Sequence, residues 1–241
     1  HQQVLDRVAG TDGLPGTNVT ADLLKQIVLG SRVFSAEKFK TPILTAACAD
    51  ATIQLTSDPL AGAVSPAEDI TTKPACDALA AWDNKNNSDS KGSIVWDELW
   101  LRMEKLLSAG KVTYKVPFNA ADPVNTPNDM ELTAPELKQA FAAAIRSVTK
   151  AGFAVDAPRS AVSWRAGKGG PDDRNPVPGG FQRTGNFTIA QTDGAPSLKP
   201  GTGYGPMLYG NSYLQIVAYT PTGIDANTFV TYGLSTDTAS E

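Results

Sequence analysis

The chain has 241 residues, a formal net charge of −4 and a hydrophobic share of 41%. That is enough for one large domain or two small ones, with a sizeable core. Mixed charge of low net value favours neither a nucleic-acid backbone nor an anionic membrane, and no apolar run approaches the 18 residues of a spanning helix.

His1 to Gly10 reads as a helix with Val4, Leu5 and Val8 on one face, and Asp12-Gly13-Leu14-Pro15-Gly16 as a turn. No signal peptide is apparent, the first residue is His1, and both ends read as cut, so a piece of a longer polypeptide is expected. Thr20 is expected to cap a helix carrying Leu23, Leu24, Ile27 and Val28. Val33 to Phe39 continues helical, and Pro42 is expected to open a short helix with Ile43, Leu44 and Cys48. Thr56 to Thr72 shows no periodicity and reads as a loop. Pro74 opens a helix with Cys76, Leu79 and Trp82, which ends in the polar run Asp83 to Ser90.

Ile94 to Leu107 is a strong helix. Val95, Leu99, Met103 and Leu106 form its stripe, and Trp96 and Trp100 widen it, a pattern of core rather than of a cofactor site. Lys111 to Asn128 is extended and proline-rich. Thr133 with Glu136 fits a capping box ahead of Leu137, Phe141, Ile145 and Val148, a helix expected to run until Gly152.

After Pro158 the period changes from about 3.6 to 2. Ala161–Arg165 and Asn186–Gln191 are short strand candidates, and the glycine- and proline-rich stretch from Gly167 to Gly180 reads as a long loop. Tyr213–Thr220 and Thr228–Tyr232 are expected to pair as an antiparallel hairpin around Pro221-Thr222-Gly223 and Asp225. Tyr213, Gln215, Val217 and Tyr219 share one face; Leu214, Ile216, Ala218 and Thr220 share the other. A two-stranded hairpin is marginal alone, so a further layer must cover it. Helices dominate residues 1–152 and strands residues 153–241, both parts of one larger domain. This segregation is the signature of the α+β class.

Little in the chain assembles into catalytic chemistry. His1 is the sole histidine, so an internal Ser-His-Asp or Cys-His set is excluded, as are zinc sites of mixed His and Cys spacing. Gly167-Lys168-Gly169-Gly170 lacks the P-loop spacing and reads as a flexible loop. Asp172-Asp173 and Asp12 with Asp22 are carboxylate pairs by proximity, and solvated charge is the simpler reading. Asn18-Val19-Thr20, Asn86-Asn87-Ser88 and Asn186-Phe187-Thr188 match the glycosylation triplet. No metal or cofactor is expected. Cys48 and Cys76 are expected to form a disulfide joining two helices, in keeping with a composition common in exported proteins; two buried free thiols are the alternative.

Several stretches, in order, resemble the penicillin acylase and acyl-homoserine-lactone acylase family, in the C-terminal part of its β-subunit. They are Arg7 to Gly16; Pro74 to Asp83 with Ser90 and Gly92; Phe118 to Pro127; Tyr209 to Tyr213; and Thr231 to Asp237. The branch of aculeacin-type lipopeptide acylases is the most similar. The resemblance implies a fragment of an αββα N-terminal-nucleophile hydrolase sandwich, in which a serine exposed by autoproteolysis attacks an amide and an asparagine holds the oxyanion. In the family both residues precede the matching region, so no catalytic residue is assigned to this chain. The family's usual His-Tyr after the last serine is also missing. Gly210 and Trp82 read as structural.

The resemblance implies as partners the α-subunit and the N-terminal part of the β-subunit. It implies an acyl-amide substrate (acyl-homoserine lactone, lipopeptide or β-lactam) and a secreted or periplasmic location, with neither nucleic acid nor membrane involved. Part of the final sheet would then pair with strands from outside the chain, leaving an apolar face or edge bare. The alternative reading is a non-catalytic exported module that binds carbohydrate or protein.

Overall fold

The computed structural model describes residues 8–10, 20–123, 125–192 and 198–229, without the side chain of Pro171. Most of the stretch expected as a helix from His1 to Gly10, the stretch expected as a turn from Asp12 to Gly16, residues 230–232 of the expected second hairpin strand, and the segment from Thr231 to Asp237 lie outside them.

Two helices open the described part. Helix α1, Ala21–Leu29, is capped by Thr20, whose Oγ1 accepts a bond from the amide of Leu23 at 3.1 Å. Helix α2, Phe34–Ala47, runs unbroken through Pro42. From the sequence Pro42 is expected to open a short helix; in the structure it lies inside one that began at Phe34. The missing N–H leaves Lys38 without its i+4 donor, but Phe39, Ile43 and Ala47 are buried on one face and hold the helix together.

The stretch read as a loop from Thr56 to Thr72 is largely a hairpin. Strand β1, Thr52–Asp58, pairs antiparallel with β2, Gly62–Thr71, with an irregularity between Leu55 and Ser57. Ile53 and Leu55 point into the core, with the exposed Gln54 between them. β2 is mostly exposed, so it carries no apolar alternation to betray it.

Helix α3, Lys73–Ala81, follows with Pro74 in its first turn. Cys48, at the end of α2, and Cys76, in α3, form the expected disulfide, with Cα atoms 6.1 Å apart. Its loop encloses the β1–β2 hairpin.

Helix α4, Ser93–Ser108, begins after Gly92, whose φ is 88°. A Cβ there would sit 2.8 Å from the carbonyl oxygen of Ala78, so only glycine lets α4 start so close to α3. The short strands β3, Tyr114–Val116, and β4, Asn128–Met130, pair across the extended segment. Helix α5, Pro135–Lys150, has Ala134 as N-cap with no side-chain capping bond. The expected capping box is absent: Thr133 turns to Glu131, whose Oε1 accepts from the Thr133 amide at 3.1 Å and its hydroxyl at 2.8 Å.

α4 and α5 pack against each other, and α5 also covers β1. The alanines Ala140, Ala142, Ala143 and Ala144 are all buried and keep α5 slim. Rings extend the core sideways: Phe39 stacks on Trp100 at 5.7 Å and Trp100 on Trp96 at 5.8 Å.

The last third is built from small antiparallel pairs. After a 3₁₀ turn, Arg159–Ala161, strand β5, Trp164–Gly167, pairs with β6, Gly170–Pro176. The Gly167–Gly180 region is therefore in good part a hairpin, not the long loop expected. Its β6 residues, Asp172, Asp173, Arg174 and Asn175, hide the strand from any apolar pattern. A second 3₁₀ turn, Gln182–Thr184, leads to β7, Ala190–Gln191, which pairs with β8, Tyr209–Gly210; of the rest of the Asn186–Gln191 candidate, Asn186 and Ile189 make isolated bridges to Val33 and Gly180.

Strand β9, Leu214–Thr220, then pairs with β10, Gly223–Phe229. The hairpin is as expected but its register is tighter. Thr220 pairs with Gly223 across Pro221-Thr222, so the second strand begins five residues before Thr228. Val177, Phe181, Ala190, Tyr204 and Met207 join the same hydrophobic cluster as α4 and α5. Helices and antiparallel strands together make an α+β structure.

Candidate functional site

α4 is buried along its first turns, and of its five charged residues only Glu104 and Lys105, in the last turn, reach solvent. Asp97, Glu98 and Arg102 are each at most 4% exposed. Buried charge persists only when paired and hydrogen-bonded, and the helix meets that requirement in two directions.

On one side Glu98 and Arg102 sit one turn apart and bond each other at 2.9 Å. Arg102 reaches on to Asp58 at the end of β1, its Nε and Nη2 donating to the two carboxylate oxygens at 3.0 and 2.9 Å. This two-pronged geometry suits the planar guanidinium. Glu98 accepts two more bonds, from the Ser147 hydroxyl of α5 at 2.7 Å and the Tyr204 hydroxyl at 2.8 Å. Burial first, then the charges of Glu98 and Asp97, raise the Tyr204 hydroxyl well above its ordinary pKa, so it stays a donor. Strand β1, helices α4 and α5 and the last third thus meet on one glutamate.

On the other side Asp97 accepts from Arg159 at 2.7 Å, and Arg159 also donates to the Gly179 carbonyl at 2.6 Å. Burial raises the Asp97 carboxyl pKa despite the opposing pull of Arg159. Asp97 Oδ1 and Arg159 Nη2 are buried without a protein partner. Next to this pair, Asn86 donates to Asn186 at 3.1 Å, and Asn186 donates to Thr184 at 2.6 Å.

Chemically this is a clamp. Each carboxylate faces a guanidinium, and each guanidinium is held by at least two elements. None of the hydroxyls bonded to it, Ser147 and Tyr204, meets a base that would make it a nucleophile by the usual pairing with histidine or lysine. A cavity of about 250 Å³ opens beside Asp58, Arg102 and Ser147, lined also by Arg146 and Lys150. Both of those cations bond Glu68, at 2.6 and 3.0 Å.

The residues singled out in the sequence are scattered. Lys168 lies in the turn between β5 and β6. Asp173 accepts from the amide of Gly169 at 2.9 Å and shapes that turn, while Asp22 lies 3.6 Å from Lys25 on α1. Asp12 and Asn18 are outside the described residues. Asn86 is fully buried and Asn186 is 8% exposed, so neither acceptor asparagine offers its side chain on a surface loop. Trp82 is core, as expected, and its indole donates to the Lys85 carbonyl at 2.6 Å.

Sequence reasoning missed the clamp. The nearest signal was Asp97, Glu98 and Arg102 set among Trp96, Leu99, Trp100 and Met103, because charges on a helix that buries this much apolar surface must find partners within the protein.

The model of one protein family, penicillin amidase, matches residues 2–241. Among individual relatives, aculeacin-A acylase of Actinoplanes utahensis is 30% identical over 240 residues, covering 98% of this chain and 27% of that protein. The acyl-homoserine lactone acylase PvdQ of Pseudomonas putida is 29% identical over 169 residues, covering 68% of this chain and 20% of the relative. PvdQ of Pseudomonas syringae pv. tomato is 28% identical over 168 residues, with the same two shares. The chain therefore spans about a quarter or less of the length of these relatives.

Proposed function

The chain belongs to the penicillin amidase family, and from this premise we propose that it is the C-terminal part of an acylase β-subunit. The intact enzyme would hydrolyse an amide bond and release an acyl chain. The observation that carries this reading is the pairing of a family match along residues 2–241 with coverage of only 27% of aculeacin-A acylase. The family is matched throughout, but most of an acylase of that length lies elsewhere.

The named relatives supply the substrate classes, a lipopeptide-type acyl amide or an acyl-homoserine lactone, with β-lactams as the third class of the family. Amide hydrolysis needs an activated nucleophile and donors for the oxyanion. In the family resemblance the nucleophilic serine and the oxyanion asparagine precede the matching region. This chain would contribute support: the clamp at Glu98 and Arg102 ties four parts of the chain into a rigid block against which the catalytic part is built. Its partners would be the α-subunit and the N-terminal part of the β-subunit. The Cys48–Cys76 disulfide favours an oxidising compartment, hence a secreted or periplasmic enzyme. Among the described residues no helix is long and apolar enough to cross a membrane.

The test is the intact mass of the protein in its natural source, captured with an antibody against residues 1–241. A polypeptide markedly longer than 25.3 kDa, accompanied by a second subunit, is expected. A polypeptide that ends at these same boundaries and travels alone would overturn the reading.

A further inference from the structure

The β9–β10 hairpin has two unlike faces. Direct pairing across it sets Tyr219 opposite Ile224, Val217 opposite Ala226, and Gln215 opposite Thr228, all on one face. Ile216, paired with Asn227, lies on the other, and α1 packs there. Lys25 of α1 bonds Asp225 at 3.3 Å, and Ile216 is only 4% exposed. Among the described residues the first face has no such cover. Tyr219 is 84% exposed, Ile224 68%, Tyr213 59% and Val217 38%.

Among the described residues this face holds no charged residue, although the chain elsewhere places its charges freely on the surface. Isolated surface apolar residues need no explanation, but a contiguous uncharged group of two tyrosines, an isoleucine and a valine marks an interaction surface. The ribbon has two strands and no third among the described residues, so each strand keeps an outer edge free of β pairing there. Such a ribbon with one face bare is marginal by itself.

We propose that the outer face of β9–β10, centred on Tyr219 and Ile224, is the docking surface for the rest of the acylase polypeptide. The occupant is an uncharged, apolar layer of the same enzyme, set against this face as α1 is set against the other. This inference rests on the acylase reading above. The length of the relatives outside the match favours this occupant: the match leaves 73% of aculeacin-A acylase (100% less the 27% covered) to supply a further layer. The lack of charge argues against a polar or acidic partner, and two-faced coverage of a ribbon is how packed layers make a domain.

The test is oxidative footprinting of Tyr213, Tyr219 and Ile224 in two samples. One is the isolated chain of residues 1–241; the other is the longer native protein from the natural source. Labelling of Tyr219 and Ile224 is expected to fall about tenfold in the native protein, as for residues in the dry centre of an interface. Leu60, 40% exposed on the turn between β1 and β2, gives the internal comparison. Equal labelling of Tyr219 and Ile224 in the two samples overturns the docking surface and leaves the acylase reading standing. A native protein no longer than this chain overturns both. Protection that appears in the isolated chain as its concentration rises, together with a dimer by light scattering, assigns the face to a second copy and also overturns the proposal.

Discussion

Arg102 bonds three acceptor groups, the Asp58 carboxylate, the Glu98 carboxylate and the Glu98 carbonyl, at 2.9–3.0 Å. Replacing it by methionine would leave two carboxylates buried without their cation. Losing one partner of a buried pair costs about 3–5 kcal/mol, whereas replacing the whole group by apolar residues can be neutral. Arg102→Met should therefore lower the urea midpoint sharply. The triple variant Arg102→Met, Asp58→Leu, Glu98→Leu should recover much of the loss. An unchanged midpoint for the single variant would show that the clamp carries no stability. Glu68 makes a second residue-scale case. Hydrogen bonds from Arg146 and then Lys150 lower its pKa to about 2 from 4.5. A carboxylate depressed in the folded state contributes stability above its unfolded pKa, and the contribution disappears as pH falls from about 4.5 to about 2. NMR titration should place the Glu68 carboxyl near the lower value, and Arg146→Met should move it up. A Glu68 that titrates at its ordinary value in the unmodified chain would contradict the Arg146–Lys150 bonding.

At the scale of elements, the Cys48–Cys76 bridge spans 28 residues of sequence and closes over the β1–β2 hairpin. On the chain-entropy account its removal by Cys48→Ala and Cys76→Ala should cost roughly 3–4 kcal/mol. Thermal unfolding with and without reductant measures this; equal melting temperatures would mean the bridge constrains little. The helices were legible because their apolar residues recur at 3.6: Leu137, Phe141, Ile145 and Val148 mark α5, and Leu23 and Ile27 mark α1. β2 and β6 were not legible. Their residues face outward, so Ser65, Glu68, Asp172 and Arg174 leave no alternation to read. The capping box failed for a local reason: Glu131 accepts from the Thr133 amide that Glu136 would take in the box, and the helix starts one residue later, with Ala134 as N-cap. The tight β9–β10 register was missed because Gly223 and the polar Asp225, both in β10, read as turn. The clamp was hard to read for a related reason: Asp97, Glu98 and Arg102 on a helix look like a solvated face until the first turns of that helix are known to be buried.

For the whole molecule, one core joins α2, α4 and α5 to Val177, Phe181, Tyr204 and Met207 of the last third. Glu98 sits where those parts meet. The family was legible from ordered segments such as Pro74 to Asp83, whose Cys76 and Trp82 take up the disulfide and the core in the structure. On the acylase reading, the chain supports catalysis without supplying its nucleophile. The most direct measurement is acid release by purified chain 1–241 from a lipopeptide, a long-chain acyl-homoserine lactone and a penicillin, set beside the longer native protein. Hydrolysis of at least one substrate by the native protein, and of none by the chain alone, is the expected result. Turnover by the isolated chain, persisting after traces of the longer protein are removed, would contradict it and would turn attention to Lys168 and a neighbouring serine.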